Sequence, residues 1–243
     1  IIGGAGNLFT GAIFGVDGLS LMEETDSKVL AVENFSGDST IDNLIGLSRL
    51  AGSRFLGAVI NKIPENTKRY VKENLKPFME LQGIKIFGLF ERDTILESLT
   101  VRDIVAILNG KVLCAEERLD ELVEHFTVGA MDVDSALKYF RRIPNKAVIT
   151  GAHRSDIQLA AMETSTKVII LTGGTDPNDV VIAKAESRGI PLVSVEYDTF
   201  TTVDKIELMR GKVRIKEPEK IKRLKELSER DFDINSFMEA LSR

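Results

Sequence analysis

The chain has 243 residues, 43% of them hydrophobic and 28% charged, which is typical of a globular protein with one large or two ordinary domains. Its net charge of −5 argues against a nucleic-acid-binding surface. The single cysteine, Cys114, excludes an intrachain disulfide, and the two histidines show no metal-ligand spacing. No apolar run is long enough to cross a bilayer and no signal segment opens the chain, so a cytoplasmic protein is predicted.

The first third of the chain alternates strand-like and helix-like segments. An apolar pair without a methionine runs into a glycine loop at residues 1–7, so the chain is expected to begin inside a strand. Either it is a truncated piece, or preceding residues were left out of its numbering. Hydrophobic periodicity then predicts strands at 28–32, 55–60 and 84–89 and helices at 39–50 and 65–81. This alternation indicates an α/β domain.

Three motifs follow one another in this part of the chain. They are Gly3-Gly-Ala-Gly6, Gly57-Ala-Val-Ile-Asn-Lys-Ile-Pro64 and Phe87-Gly-Leu-Phe90. They resemble the E-G-A-G, G-x-x-x-N-x-x-P and L-G-x-I-P segments of the dethiobiotin synthetase and cobyrinic acid diamide synthase class of P-loop proteins. The phosphotransacetylase N-terminal domain, built on the same plan, is similar to them as well.

This resemblance covers residues 1–97 and implies that Asn61, in the segment that ends at Pro64, contacts a nucleotide base. The alternative for Asn61 is a turn residue. Gly3 stands where the family has glutamate, and the chain contains no G-x-x-x-x-G-K-[ST] loop to cradle a triphosphate. As given, the chain is therefore not expected to act as a P-loop enzyme.

A polar cluster at 91–94 and a helix predicted at 101–108 place a domain boundary near 96–100. Three further strands are predicted at 147–149, 167–171 and 191–195, and the polar loops 150–155, 172–176 and 196–202 follow them. Because such strands should be parallel, the three loops leave the same carboxyl edge of the sheet, where open α/β sheets bind ligands. Two of the helix starts have their own signals. One is a capping box of Ser155 and Gln158, and the other is Asp176 as an N-cap before Pro177.

These loops carry a second set of motifs. They are His153-Arg154-Ser155-Asp156, Leu171-Thr-Gly-Gly174 and Asp198-Thr-Phe-Thr201. With the segments 108–113 and 128–131, they resemble the DRTGG domain over residues 99–217, although His153 occupies the position of the family's aspartate. That family is known from long bacterial phosphotransacetylases and from regulatory segments of some pyrophosphatases, where it is regarded as non-catalytic. The resemblance implies a regulatory or oligomerising module and a homodimer.

The predicted ligand site draws on all three loops. It consists of His153, Arg154, Asp156, Thr172, Gly173, Gly174, Asp198, Thr199 and Thr201. Helix N-termini and Arg154 favour an anion, whereas the two aspartates oppose a bare one, so a nucleotide with a ribose is predicted and an adenine nucleotide is the candidate. Each group also has a purely structural alternative. The glycines could form a strand-to-helix turn, the residues at 198–201 could cap a helix, and His153 and Arg154 could be a solvated pair. No nucleophile, base and acid set can be assembled.

The fold class predicted is α/β, with two three-layer domains and mostly parallel sheets. The first, at 1–98, is an incomplete P-loop NTPase-like domain, the second, at 99–217, is DRTGG-like, and 218–243 form a helical tail. An edge strand is expected at 212–215, and the apolar residues of the tail have no evident partner within the chain.

The leading interpretation is a non-catalytic, nucleotide-responsive regulatory or scaffolding protein related to the N-terminal region of phosphotransacetylase. Two alternatives stay open. One is an ATP-dependent ligase of the synthetase class whose P-loop precedes Ile1, and the other is a phosphotransacetylase-related subunit that acts in trans. The partners expected are a small anionic ligand, a second copy of the chain and a phosphotransacetylase-type protein, with neither nucleic acid nor a membrane.

Overall fold

The computed structural model describes residues 1–4 and 7–242, so Ala5 and Gly6 of the predicted glycine loop lie outside the described residues. The chain divides into two compact units, residues 1–93 with 224–243, and residues 94–223. These limits fall a few residues from the predicted ones, and the predicted tail is divided between the units. Independent folding of either part stays a prediction.

The first unit contains a parallel sheet of three strands. Its elements are α1 (Gly18–Glu24), β1 (Val29–Asn34), α2 (Ser39–Ala51), β2 (Phe55–Ile63), α3 (Lys68–Tyr70), α4 (Lys76–Leu81) and β3 (Ile86–Glu91). The strand order is β1-β2-β3, and both pairings are parallel. Ala58 and Ile60 of β2 pack against Leu44 of α2 and Leu75 before α4 in one buried cluster. The predicted α/β alternation is thus confirmed in this unit.

The helical segment predicted at 65–81 is not one regular helix. A 3₁₀ turn, Glu65–Thr67, precedes α3, and a π-helical turn, Val71–Leu75, separates α3 from α4. Pro77 lies in the first turn of α4 and has no N–H to donate to the carbonyl of Glu73. The wider turn accommodates this missing hydrogen bond, which the hydrophobic periodicity did not reveal.

Gly57 of β2 has a backbone conformation that only glycine adopts without strain. Its φ is +146°, and a Cβ atom there would overlap the carbonyl oxygen of Lys85 and lie 2.7 Å from the Phe87 ring. The same carbonyl accepts a 2.8 Å hydrogen bond from the N–H of Ala58. The glycine that opens the G-x-x-x-N-x-x-P motif is therefore required by the close approach of two backbone segments.

The second unit is built on a mixed sheet of five strands. Its elements are α5 (Thr94–Glu97), β4 (Leu99–Thr100), α6 (Val101–Leu108), β5 (Lys111–Cys114), β6 (Leu122–Val123), β7 (His125–Val128), α7 (Val133–Phe140), β8 (Lys146–Gly151), α8 (Ser155–Met162), β9 (Thr166–Thr172), α9 (Asp179–Arg188), β10 (Leu192–Val195) and α10 (Thr199–Met209). The order is β5-β10-β9-β8-β7, in which only β5 is antiparallel to its neighbour. The predicted parallel strands at 147–149, 167–171 and 191–195 are confirmed, whereas β5, β7 and the small β4–β6 pair were not predicted.

The two faces of this sheet carry different helices. Val148 and Ile169 point into a core with residues of α7, α8 and α9. Ala147, Ile149 and Ile170, one position away along their strands, point into a core with residues of α6 and α10. Because side chains alternate along a strand, both faces of the sheet are buried. The helix after β9 therefore lies on one face and the helix after β10 on the other.

Two further helices end the described chain, α11 (Pro218–Asp231) and α12 (Ile234–Ser242). Within the first unit, Phe237 of α12 packs edge-on against Phe87, with ring centroids 5.5 Å apart, and also contacts Phe232. These tail aromatics thus have an intrachain partner, contrary to the expectation. Residues 212–215 form no strand, so that prediction is wrong. None of the helices in the described part of the chain has the length and apolar composition that a bilayer crossing requires.

Lys146, the first residue of β8, is fully buried in the second unit. Its Nζ donates hydrogen bonds to the carbonyls of Ile143 at 3.1 Å and Ser165 at 3.0 Å, and lies 5.7 Å from the centroid of the Phe140 ring. Burial disfavours the charged ammonium and lowers the pKa of Lys146 to about 8. A neutral amine keeps two N–H groups, one for each carbonyl.

Lys146 should make the free energy of unfolding rise between about pH 8 and pH 10.5. The folded protein releases this proton near pH 8, but the unfolded chain holds it up to about 10.5, so the unfolded state binds more protons in this range. The contribution is at most about 3 kcal/mol. Urea unfolding of the parent and of Lys146→Met at about pH 7.5 and about pH 9.5 should show the parent gaining roughly 2 kcal/mol relative to the variant. If the difference in unfolding free energy between the parent and Lys146→Met were the same at both pH values, this prediction would be wrong.

Candidate functional site

The loops after β9 and β10 diverge at the carboxyl edge of the second sheet. Each strand ends there, and the chain turns towards α9 on one face and towards α10 on the other. Neighbouring parallel strands whose connections leave in opposite directions form a crevice at this edge, which is where open α/β sheets bind ligands. The predicted residues of both loops lie at this edge.

Hydrogen bonds join the two loops directly. The N–H groups of Gly173 and Gly174 donate to the carbonyls of Tyr197 and Val195, both at 3.0 Å. The hydroxyls of Thr172 and Thr199 lie 3.1 Å apart, and that of Thr172 also lies 3.5 Å from the carbonyl of Thr150. The glycine N–H groups therefore hold the loops together and are not free for a ligand.

Arg154 lies in the loop after β8 and is held by two neighbours. Its Nε and Nη2 donate to the two carboxylate oxygens of Asp156, both at 3.0 Å, and Nη2 donates to the carbonyl of Met131 at 3.1 Å. The hydrogen bond from Arg154 holds the pKa of Asp156 below its usual value, and Asp156 raises the pKa of Arg154. The Nη1 group makes no hydrogen bond within the described residues, and 30% of the side chain is exposed.

The predicted capping box at the start of α8 is wrong. The N-cap position is Arg154, without a side-chain cap, and Gln158 instead donates from Nε2 to the carbonyls of Gly151 at 2.9 Å and Ala152 at 3.0 Å. These carbonyls belong to the turn after β8, so the tertiary arrangement draws the amide away from the helix start. His153 is exposed, with its ring over Gly151.

The third loop supplies a helix cap. Asp198 is the N-cap of α10, and its carboxylate accepts hydrogen bonds from the N–H of Thr201 at 3.0 Å and its hydroxyl at 2.6 Å. These bonds lower the pKa of Asp198. The cap of α9 is Asn178, whose side chain accepts from the N–H of Val180, so the prediction of Asp176 is wrong.

Asn61 and Pro64 belong to the first unit, at the carboxyl end of β2. The side-chain oxygen of Asn61 accepts a 2.9 Å hydrogen bond from the N–H of Lys62, which has a φ of +55°. The carbonyl of Pro64 accepts from the hydroxyl of Thr67 at 3.0 Å. In this structure both residues stabilise the turn after β2, and a contact with a nucleotide base stays a prediction.

Glu196 was not predicted as a site residue. It directly follows β10, and its carboxylate lies so close to Gly174 that a Cβ atom on that glycine would overlap it. Gly174 has a φ of +64°, which glycine adopts freely. An exposed acid in a polar loop gives no periodic signal, so only the folded backbone shows that Glu196 lies across the turn after β9.

Two cavities lie elsewhere in the second unit. One, of about 580 Å³, is lined at the amino edge of the sheet by Glu121, Asn145 and Lys167 among others. The other, of about 620 Å³, lies beside Cys114 and α9. In the first, Glu121 is paired with Lys167 at 2.6 Å. Neither cavity contains a predicted site residue.

Comparison with known proteins gives the following relationships. Residues 103–209 match the sequence profile of the DRTGG domain family. An uncharacterized protein, YtoI of Bacillus subtilis, is 30% identical over 106 residues, which are 44% of this chain and 23% of YtoI. The phosphate acetyltransferase of Synechocystis sp. is 26% identical over 196 residues, or 74% of this chain and 28% of the enzyme. The phosphate acetyltransferase of Nitratidesulfovibrio vulgaris is 27% identical over 188 residues, or 72% of this chain and 26% of the enzyme.

The chain is thus distantly homologous to the N-terminal region of phosphate acetyltransferases, and it spans about a quarter of the length of these curated relatives. A solved structure is also similar, with 18% identity and a TM-score of 0.42 over 84% of this chain and 87% of the other. It contains the CBS and DRTGG domains of the regulatory region of Clostridium perfringens pyrophosphatase, complexed with its activator diadenosine tetraphosphate.

Proposed function

We propose that this chain, whose residues 103–209 form a DRTGG domain, is a non-catalytic regulatory or scaffolding protein that binds a nucleotide at the carboxyl edge of its second sheet. The observation that carries the proposal is that the connections after β9 and β10 leave to opposite faces of the sheet, the arrangement at whose carboxyl edge open α/β sheets bind ligands. Thr172 and Thr199 supply hydroxyls at this edge, and the N–H groups of the two glycines hold their loops together.

The charges around the crevice favour a nucleotide over a simple anion. The N-termini of α8, α9 and α10 face this edge, and Arg154 has a guanidinium nitrogen, Nη1, directed away from Asp156. The carboxylates of Asp156, Glu196 and Asp198 oppose a bare anion in the same region. A ligand that combines phosphate with the hydroxyl donors of a sugar suits this mixture of charges.

The regulatory role is supported by the homology to phosphate acetyltransferases, of which this chain covers about a quarter. The interactions of Arg154, Asp156 and Asp198 also favour binding over chemistry, because their charged groups mainly fix loops and helix starts. Loops fixed in this way can bind a ligand and change conformation with it, and this role needs no group that reacts with the ligand. We therefore propose that the ligand controls an assembly or a partner enzyme of the phosphotransacetylase type.

Isothermal titration of the full chain tests the proposal. The panel consists of AMP, ADP, ATP, a dinucleotide, tripolyphosphate and acetyl phosphate. We expect saturable one-site binding of a nucleotide and weaker binding of acetyl phosphate. If no nucleotide binds at about millimolar concentration, which corresponds to roughly −4 kcal/mol, the proposed function is wrong.

A homodimer is the assembly we expect, since two-fold dimers are the commonest soluble oligomers. Large apolar side chains are exposed on the second unit, such as Val180 at 69% and Phe200 at 81%. Light scattering at tens of micromolar protein, with and without the best nucleotide of the panel, measures the assembly. A monomer under both conditions would argue against the scaffolding role.

A further inference from the structure

Glu196 offers an unused carboxylate at the crevice between the loops after β9 and β10. It is exposed, and its oxygens make no hydrogen bond or ion pair with any residue in 1–4 and 7–242. The carboxylate of its neighbour Asp198 accepts a hydrogen bond from Thr201, and that of Asp156 accepts one from Arg154. Unlike Asp156 and Asp198, Glu196 therefore has the full acceptor capacity of an ionised carboxylate, which can receive two O–H donors side by side.

The backbone that carries this carboxylate is held by a hydrogen bond to the turn after β9. Its nearest oxygen occupies the space into which a Cβ atom on Gly174 would project, with the carboxylate carbon 3.0 Å from that point. The N–H of Gly174 is bonded to the carbonyl of Val195, the residue before Glu196. The turn after β9 and the backbone before Glu196 are thus held together, and a side chain at position 174 would displace the carboxylate.

We propose that Glu196 is the residue through which this site selects a ribose-containing ligand, because its carboxylate accepts hydrogen bonds from the two vicinal ribose hydroxyls. The inference rests on the proposed function and specifies the ligand class. In dinucleotide-binding α/β domains, an acid after the second strand of a β-α-β unit binds a ribose hydroxyl beside a glycine turn after the first strand. The unit β9-α9-β10 has the same placement of turn and acid, although Thr172–Thr175 lacks the G-x-G-x-x-G sequence.

The same carboxylate should exclude ligands that consist of phosphate alone. A negative charge at the crevice repels tripolyphosphate or acetyl phosphate, and these ions have no hydroxyl with which to compensate the repulsion. A nucleotide compensates it with two charge-assisted hydrogen bonds. Glu196 would thus act in opposite directions on the two ligand classes, which a purely structural residue would not do.

Titration of the full chain with ATP, 2′,3′-dideoxy-ATP and tripolyphosphate tests this inference in the parent and in Glu196→Gln. The parent should bind ATP about 10-fold or more tightly than the dideoxy compound. Glu196→Gln should lose most of this discrimination and should bind tripolyphosphate at least as tightly as the parent. Glu207→Gln removes the same charge from the last part of α10, where Glu207 pairs with Arg210, and should behave like the parent.

The outcomes separate the two levels of the proposal. If Glu196→Gln discriminates between ATP and its dideoxy analogue as the parent does, Glu196 is not the ribose-binding residue, while the nucleotide site itself stands. If the parent does not distinguish ATP from the dideoxy analogue, the ribose inference is also wrong. If the parent binds neither ATP nor tripolyphosphate, both the inference and the proposed function are wrong.

Discussion

Replacing Gly57 by alanine is expected to destabilise the first unit by at least about 3 kcal/mol. The residue has a φ of +146°, a region that is strained for any side chain, and the added methyl group would overlap the carbonyl oxygen of Lys85. Backbone atoms of β2 and the segment before β3 cannot separate without breaking the 2.8 Å hydrogen bond between Ala58 and Lys85. Strain and overlap therefore act together.

Urea unfolding and hydrogen exchange measure this effect. Peptides that cover β2 and β3 should lose protection in Gly57→Ala, with β8 and β9 of the second unit as the internal reference. The matched control is Gly46→Ala, because Gly46 lies inside α2 and a methyl group added there would have no neighbouring atom within 4 Å, so alanine should stabilise by roughly 0.5 to 1 kcal/mol. A Gly57→Ala protein as stable as its parent would show that β2 and β3 can move apart.

Arg154→Ala should weaken nucleotide binding about 10- to 150-fold, the loss expected for one charge-assisted contact. The guanidinium is oriented by Asp156 and the carbonyl of Met131, so it meets a phosphate without first having to be ordered. Its exposed fraction of 30% leaves room for the ligand. Because the ion pair with Asp156 is partly exposed, its loss should change stability little.

Titration of Arg154→Ala with the nucleotide that the parent binds best provides the measurement. Arg188→Ala is the charge-matched control, because Arg188 also pairs with a carboxylate, that of Glu163, but at the opposite ends of α8 and α9. The control should bind as the parent does. Unchanged affinity in Arg154→Ala would remove Arg154 from the site and leave it a structural link between two loops.

The sequence predicted those parts of the fold that local patterns determine. The apolar runs at 147–149 and 167–171 are rich in β-branched residues and lead into polar loops, so they identify β8 and β9 and their parallel pairing. The helix 101–108 was predicted at its observed limits, where a capping box of Thr100 and Asp103 begins it. Strand β5 is defined by its antiparallel pairing with β10 across about 80 residues, and β7 has only two apolar residues, so their local sequences did not reveal them.

The arrangement of the loops at the carboxyl edge was predictable, but their contacts were not. Parallel strands place their following loops on one edge, and the structure brings Thr172 and Thr199 together as this rule requires. Asp176 and Asn178 are both good capping residues two positions apart, and the backbone selects Asn178. The partners of the glycine N–H groups, and the carboxylate over Gly174, depend on how two loops distant in sequence meet, which periodicity does not describe.

The strand order of the second unit also determines how its sheet can assemble during folding. The strands β7, β8, β9 and β10 are neighbours both in the chain and in the sheet, so each parallel pair closes a loop of only one helix and its turns. The edge strand β5 pairs with β10 across about 80 residues, as in the pairing of Val112 with Val193. Closing this loop costs more conformational entropy than forming any other strand pair of the sheet. The four parallel strands can therefore form as one cooperative group, and β5 should join last and exchange its amide hydrogens first.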